Sequence, residues 1–200
     1  MPRSRSGASS LRSKRLTATV SASRSVEIIP LGWSGDVSVE ALSVEVRRHF
    51  GLPCRITLPE ALPADARDAR RGQYHSTRLL QHLADSPSHA FRRLGVVEVD
   101  LFVPILTFLF GEAMLGGRAG VVSVHRLGSG DSRSPEDHLR RSERLMKEGI
   151  HELGHTFDLT HCEDRACVMS TSRDVPQIDL KGLELCRYCQ VTLADCLARG

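Results

Sequence analysis

The first ordered stretch of the chain is an apolar run, Val26–Leu31, interrupted only by Glu27. Its length and β-branched content predict a strand whose clean part ends at Pro30. Over 37–50 the spacing changes: Val37, Val39, Leu42, Val44, Val46 and Phe50 fall on a rough helical period, and Gly51 supplies the stop. A second strand is expected at 55–58, a loop over the Pro/Ala/Asp/Arg stretch 59–71, and a helix over 73–83 with Leu79, Leu80 and Leu83 on one face. From Gly95 the chain turns β-branched and aromatic, which predicts strands at 96–103, 107–113 and 119–125, separated by Pro104 and by Leu115-Gly116-Gly117. Residues 128–134 are Gly/Ser/Asp-rich and read as a loop. Ser134 with Pro135 behind it then opens a helix whose first turn carries Asp137. That helix should run to about Phe157, with Leu145, Met146, Ile150, Leu153 and Phe157 as its apolar face. The order describes an α/β layer, a long helix, and a Cys-rich, mostly irregular tail.

Charge changes the picture at the N-terminus. The 200 residues carry 27 basic and 24 acidic groups, and residues 1–24 hold six of the basic ones with no acid. The remainder is therefore 21 basic against 24 acidic, a net of −3, and the pI near 8.6 describes the tail. A slightly acidic body with 4% aromatic residues gives no electrostatic or stacking case for a nucleic-acid partner. Residues 1–24 match a transit peptide in composition, but their Gly, Pro and Ser content favours a disordered basic tail. The longest apolar stretch, 101–110, contains Pro104 and falls short of the ~20 residues a membrane span needs. With no export signal and no long apolar patch or heptad, the expectation is a cytoplasmic protein, a monomer, with no membrane partner.

Five of the six cysteines lie between 162 and 196, while Cys54 stands apart and reads as a small buried hydrophobe. In a reducing compartment such clusters are metal ligands before they are disulfides. Upstream of them is His151-Glu152-Leu153-Gly154-His155, in which residues four apart share a helix face and both imidazoles reach one ion. Glu152 stands one step round as a proton acceptor, and His161 is reachable after a turn. His151, His155 and His161 then make the three protein ligands of a catalytic zinc with one position open. Cys162, Cys167, Cys186 and Cys189, spaced C-x4-C and C-x2-C, match a closed four-thiolate zinc site, with two disulfides or a redox pair as the alternatives. Cys196 is surplus. Met169 is either core filler or the apolar floor of the histidine site.

Taken together, HELGHTFDLTHC (151–162) with the following CVM, D-x-K and C-x-x-C elements resembles the archaemetzincin family of zinc metallopeptidases. RGQY (71–74), DLFVP (100–104), FGEA (110–113), VVSVHRL (121–127) and Lys147-Glu148 extend the resemblance over about 26–190. It implies a metzincin-like α/β (α+β) fold: a twisted mixed sheet with helices, an active-site helix and a small zinc-stabilised C-terminal subdomain. A single domain over 25–200 is expected, its upper lobe reaching about 157 and its lower lobe spanning 158–200. Two Zn2+ ions per chain are implied, a catalytic one on His151, His155 and His161 and a structural one on the four cysteines. Glu152 becomes the general base and Met169 the Met-turn residue. A peptide or protein substrate would pair with an antiparallel edge strand, for which 107–113 is the candidate.

The extended family motif has Gly where this chain has Asp158. Asp tolerates the left-handed turn that leads to the third ligand. Alternatively, one more helical turn would aim its carboxylate at the zinc. That second arrangement sustains a rival expectation, a catalytically silenced two-zinc binding or scaffolding module. Ser170-Thr171, where the family often has Asn-Phe, implies a local packing change. Were the enzyme an aminopeptidase, Glu112 or Asp100 would be the carboxylate for the free amine.

Overall fold

The computed structural model describes residues 24–35, 37–128 and 134–199. The basic tail falls outside them except for Arg24. The elements in chain order are β1 (Val26–Leu31), α1 (Val39–Phe50), β2 (Cys54–Ile56), β3 (Arg67–Asp68), β4 (Gln73–His75), α2 (Ser76–Asp85), β5 (Arg92–Val97), β6 (Leu101–Val103), β7 (Leu106–Leu109), β8 (Gly111–Ala113), β9 (Ala119–Ser123), α3 (Pro135–Thr156), α4 (Val175–Leu180) and α5 (Arg187–Arg199).

Strands β2-β1-β5-β9-β8 form a mixed sheet, parallel except for the antiparallel edge strand β8. Alternation along the strands divides the core in two. Val26, Ile28, Leu94, Val96 and Val122 pack with Leu42 and Val46 of α1 and Leu145, Ile150 and Leu153 of α3. Their neighbours Ile29, Leu31, Val97 and Val121 pack on the opposite face against Leu79, Leu80 and Leu83 of α2. The result is a three-layer α/β/α sandwich with helix α3 laid across β9 and β8. The entry to α3 is as expected: the Ser134 side chain accepts a hydrogen bond from the Asp137 backbone N–H at 3.1 Å, and Pro135 fills the first turn.

Three expectations are corrected. Residues 59–71 are not simply loop: β3 pairs antiparallel with β4, so 73–75 is strand and the helix starts only at Ser76. The strand expected at 96–103 is two. β5 begins at Arg92 because Arg93 is buried against Glu27 of β1 at 3.1 Å, a charged pair that hydropathy reads as surface. The chain then bends at Glu98-Val99 and crosses as β6 into a second small sheet, β3-β4-β6-β7. The strand expected at 107–113 is divided about the buried Phe110, β7 pairing with β6 and β8 with β9. The tail is irregular over more than half of its length, but it also holds α4 and the 13-residue α5, whose Cys189 and Leu193 are buried in the main core.

Candidate metal centres and the cleft between them and the edge strand

One turn of α3 separates His151 from His155, so their rings meet at a centroid distance of 4.6 Å. The helix then stops. Asp158 adopts φ 64, the sole non-glycine positive φ among the described residues, and Leu159 donates back to the Gly154 carbonyl at 3.2 Å. This left-handed turn swings His161 to within 5.3 Å and 5.0 Å of the other two rings, centroid to centroid. Asp158 therefore ends the helix and does not extend it. Its carboxylate lies over the backbone of Gly116, where an added Cβ would come within 2.3 Å of Oδ1, and the candidate ligand group contains the three histidines without it. Replacing Asp158 with Gly removes left-handed strain worth about 1 kcal/mol and is expected to raise the urea midpoint accordingly; an unchanged or lowered midpoint would show that the contact with Gly116 outweighs the strain.

The hydrogen bonds settle which nitrogens face inward. His151 Nδ1 lies 2.9 Å from the Val168 carbonyl and His155 Nδ1 2.7 Å from the Leu159 carbonyl. A carbonyl only accepts, so each Nδ1 carries the hydrogen and each Nε2 presents a lone pair. Those two Nε2 atoms are 3.1 Å apart. Two lone pairs so close call for a cation between them, and tetrahedral zinc with bonds of about 2.05 Å sets its ligand nitrogens roughly 3.3 Å apart. Burial pushes the His151 imidazole well below its usual range, with the Lys181 charge adding to it, and burial lowers His155 and His161 as well. All three rings are thus held in the neutral, metal-binding form.

Glu152 is buried beside them. Burial pushes its carboxyl well above the usual range, and the Glu148 and Glu112 carboxylates push the same way against Lys181. Gly111 of β8 leaves it room, since a Cβ there would lie 2.6 Å from Glu152 Cγ and Oε1. Gly111, Glu112, Ala113 and Leu115 on one side and His151, Glu152, His155, Thr160 and His161 on the other line a cleft of about 370 Å³. Glu112 in this cleft accepts hydrogen bonds from the Ser76 and Thr77 hydroxyls. Asp100 is elsewhere: it pairs with Arg126 at 2.6 Å and with Gln73 at 2.8 Å, and so is spent on bracing the second sheet.

The four cysteines form a second cluster. Sγ atoms of Cys162, Cys167, Cys186 and Cys189 lie within 4.8 Å of one another, and all six cysteines are free thiols. The Cys162–Cys186 sulfur separation of 3.7 Å is far beyond a disulfide bond. It matches the roughly 3.8 Å edge of a tetrahedron with Zn–S bonds of about 2.3 Å. Burial raises the Cys167 and Cys189 thiols, whereas a backbone hydrogen bond from Cys189 lowers Cys186. Four packed thiols cannot all ionise unaided, and a dication is what makes that possible. Cys54 is half-buried, and burial lifts its thiol to about 11, in keeping with an inert packed sulfur.

Met169 is fully buried beneath α3, where a Cβ on Gly154 would lie 2.5 Å from its Sδ. The sequence reading missed the ionic rungs that fasten this floor. Arg144 grips Asp179 with two 2.7 Å bonds, and Lys181 pairs with Glu148 at 2.7 Å. Opposite charges at i, i+4 on the helix facing opposite charges at i, i+2 in the D-x-K element were the available signal.

Residues 55–195 match peptidase family M54. The chain is 45% identical over 139 residues to the archaemetzincin of Methanopyrus kandleri, covering 70% of this chain and 76% of that protein. It is 36% identical over 168 residues to the archaemetzincin of Methanocaldococcus jannaschii, 84% and 92% of the two chains. Among solved structures, the M. kandleri archaemetzincin superposes with a TM-score of 0.77 at 34% identity, covering 91% of this chain and 99% of that one. The Archaeoglobus fulgidus archaemetzincin, complexed with malonate, gives 0.73 at 33%, covering 84% and 99%.

Proposed function

The chain belongs to peptidase family M54, the archaemetzincins, and on that premise we propose that it hydrolyses peptide bonds in the cleft between β8 and α3, using His151, His155 and His161 as zinc ligands and Glu152 as general base. As a zinc metallopeptidase it acts on a peptide or protein. The observation that supports the assignment is the convergence of two Nε2 lone pairs 3.1 Å apart beside a buried carboxylate that lines the same cleft. Zinc, when bound there, supplies a Lewis acid for the scissile carbonyl and lowers the pKa of water to about 7.

The chain's own residues do the rest. Val168 and Leu159 carbonyls orient the two helical imidazoles through their Nδ1–H groups. Glu152, which lines the cleft beside His151 and His155, takes the water's proton and passes it to the leaving amine. Edge strand β8 has β9 on one side and the cleft on the other, and an extended peptide adds there as a further strand. Gly111 leaves Glu152 its room, so Gly111→Ala is expected to lower kcat by about 10²-fold while zinc content stays at the wild-type level; a wild-type kcat would contradict the placement of the base. Cys162, Cys167, Cys186 and Cys189 hold the second, structural ion.

Anomalous diffraction at the zinc edge tests the ligand assignment. Two peaks are expected, one among the three histidines and one among the four sulfurs. A single peak, or one coordinated by Asp158, would overturn it.

A further inference from the structure

We propose that Lys181 is a positioning residue for the histidine centre, acting through the backbone of the turn Cys167–Ser170. This rests on the reading of His151, His155 and His161 as zinc ligands. Lys181 is not among the cleft-lining residues, although its charge is felt by His151 and Glu152, and none of the steps above uses it. Yet its side chain is only 1% exposed, and burying an ammonium is costly unless it is paired and hydrogen-bonded. Its Nζ has two such partners: Glu148 Oε1 at 2.7 Å and the Ser170 carbonyl at 3.2 Å.

The second contact reaches the metal centre. The Ser170 N–H closes the turn on the Cys167 carbonyl at 2.9 Å, and the Met169 carbonyl accepts from Cys162 N–H at 2.9 Å. Inside this turn the Val168 carbonyl takes the Nδ1–H of His151, and Met169 packs under Gly154. One short turn thus orients a histidine ligand, supplies a cysteine of the other cluster and forms the floor. Lys181 is the side chain that clamps its C-terminal end to α3, through Glu148, one helical turn before Glu152. The neighbouring bridges do not duplicate this: Arg144 to Asp179 and Lys147 to the Ile178 carbonyl dock α4 but do not touch the turn. With them intact, loss of Lys181 loosens the C-terminal end of the turn, while the Val168 N–H bond to the Glu184 carbonyl at 2.9 Å and the rest of the segment stay in place.

The test compares the full-length protein with Lys181→Met and with Lys181→Met/Glu148→Gln. The double variant removes the unpaired buried carboxylate that would otherwise destabilise the fold, and thermal melting checks that it is folded. Zinc is withdrawn with a graded chelator while metal content at both sites is followed, the wild-type protein serving as reference. In parallel, the His151 ring Nδ1–H is observed by NMR in the metal-free protein. The expected result is zinc binding at the histidine site weakened 10- to 100-fold relative to the wild-type protein, and a His151 ring proton that exchanges faster with solvent. kcat falls with KM within about twofold. A folded double variant with wild-type zinc affinity and an unmoved His151 signal would overturn the proposal. If the unaltered protein binds no zinc at the histidines, the ligand reading itself fails, and that outcome is distinct.

Discussion

Glu152→Gln is expected to bind zinc as the wild type does and to cleave peptides at least 10³-fold more slowly. The amide is nearly isosteric with the carboxylate, so it fills the space under Gly111 and leaves the histidines alone. What it loses is the basic carboxylate that takes the water's proton and the acid that returns it to the leaving amine. General acid–base groups contribute roughly 10² to 10⁴ in rate, and Glu152 is the one titratable side chain of α3 that lines the cleft without being a candidate ligand. The loss should fall on kcat, with KM little changed, because the edge strand that seats the substrate is untouched. Parallel assays of zinc content and turnover decide it: full zinc with wild-type turnover would remove Glu152 from the mechanism.

The second large effect is expected at the cysteine cluster. Cys167→Ser removes one of four thiolates from a closed site, and such sites carry apparent binding energies on the order of 10 kcal/mol that double as folding energy. Cys167 belongs to the turn that orients His151, and Cys162 follows His161 directly. The variant should therefore lose the structural ion, loosen the backbone around the already exposed Arg165, Arg173 and Arg187 enough for trypsin to cut there, and lose peptidase activity although every catalytic residue remains. Zinc content and limited proteolysis read the first two effects independently of activity. A trypsin-resistant variant that retains activity would mean that the helices α4 and α5 hold the C-terminal segment without metal.

The chemistry was far more legible in the sequence than the packing. Ligand spacing is set by local helix geometry: His151 and His155 fall one turn apart whatever surrounds them, and C-x2-C is a local motif. The third ligand was legible because Asp158 is among the few residues that accept φ near 64, so the turn survives the loss of glycine. What escaped was non-local. Arg93 in a central strand is stable because Glu27 lies on the neighbouring strand, and no window along the chain contains both. The division of 107–113 at Phe110 depends on which sheet each half joins. Helix α5 was overlooked because its buried face is made partly of thiols, which a periodicity count treats as ligands. Lys181 and Asp179 were noticed as a D-x-K element, but their partners Glu148 and Arg144 lie more than thirty residues upstream.

The central claim is that this chain cuts peptide bonds at the histidine centre. Its most direct test is incubation of the zinc-loaded protein with a mixed peptide library, Glu152→Ala being run beside it, and identification of products by mass spectrometry. The account predicts new termini from the wild type and none from the variant, and the cut positions will show whether cleavage is internal or at the amino end. Equal cleavage by both proteins, or none by a wild type confirmed to hold two zinc ions, would contradict it.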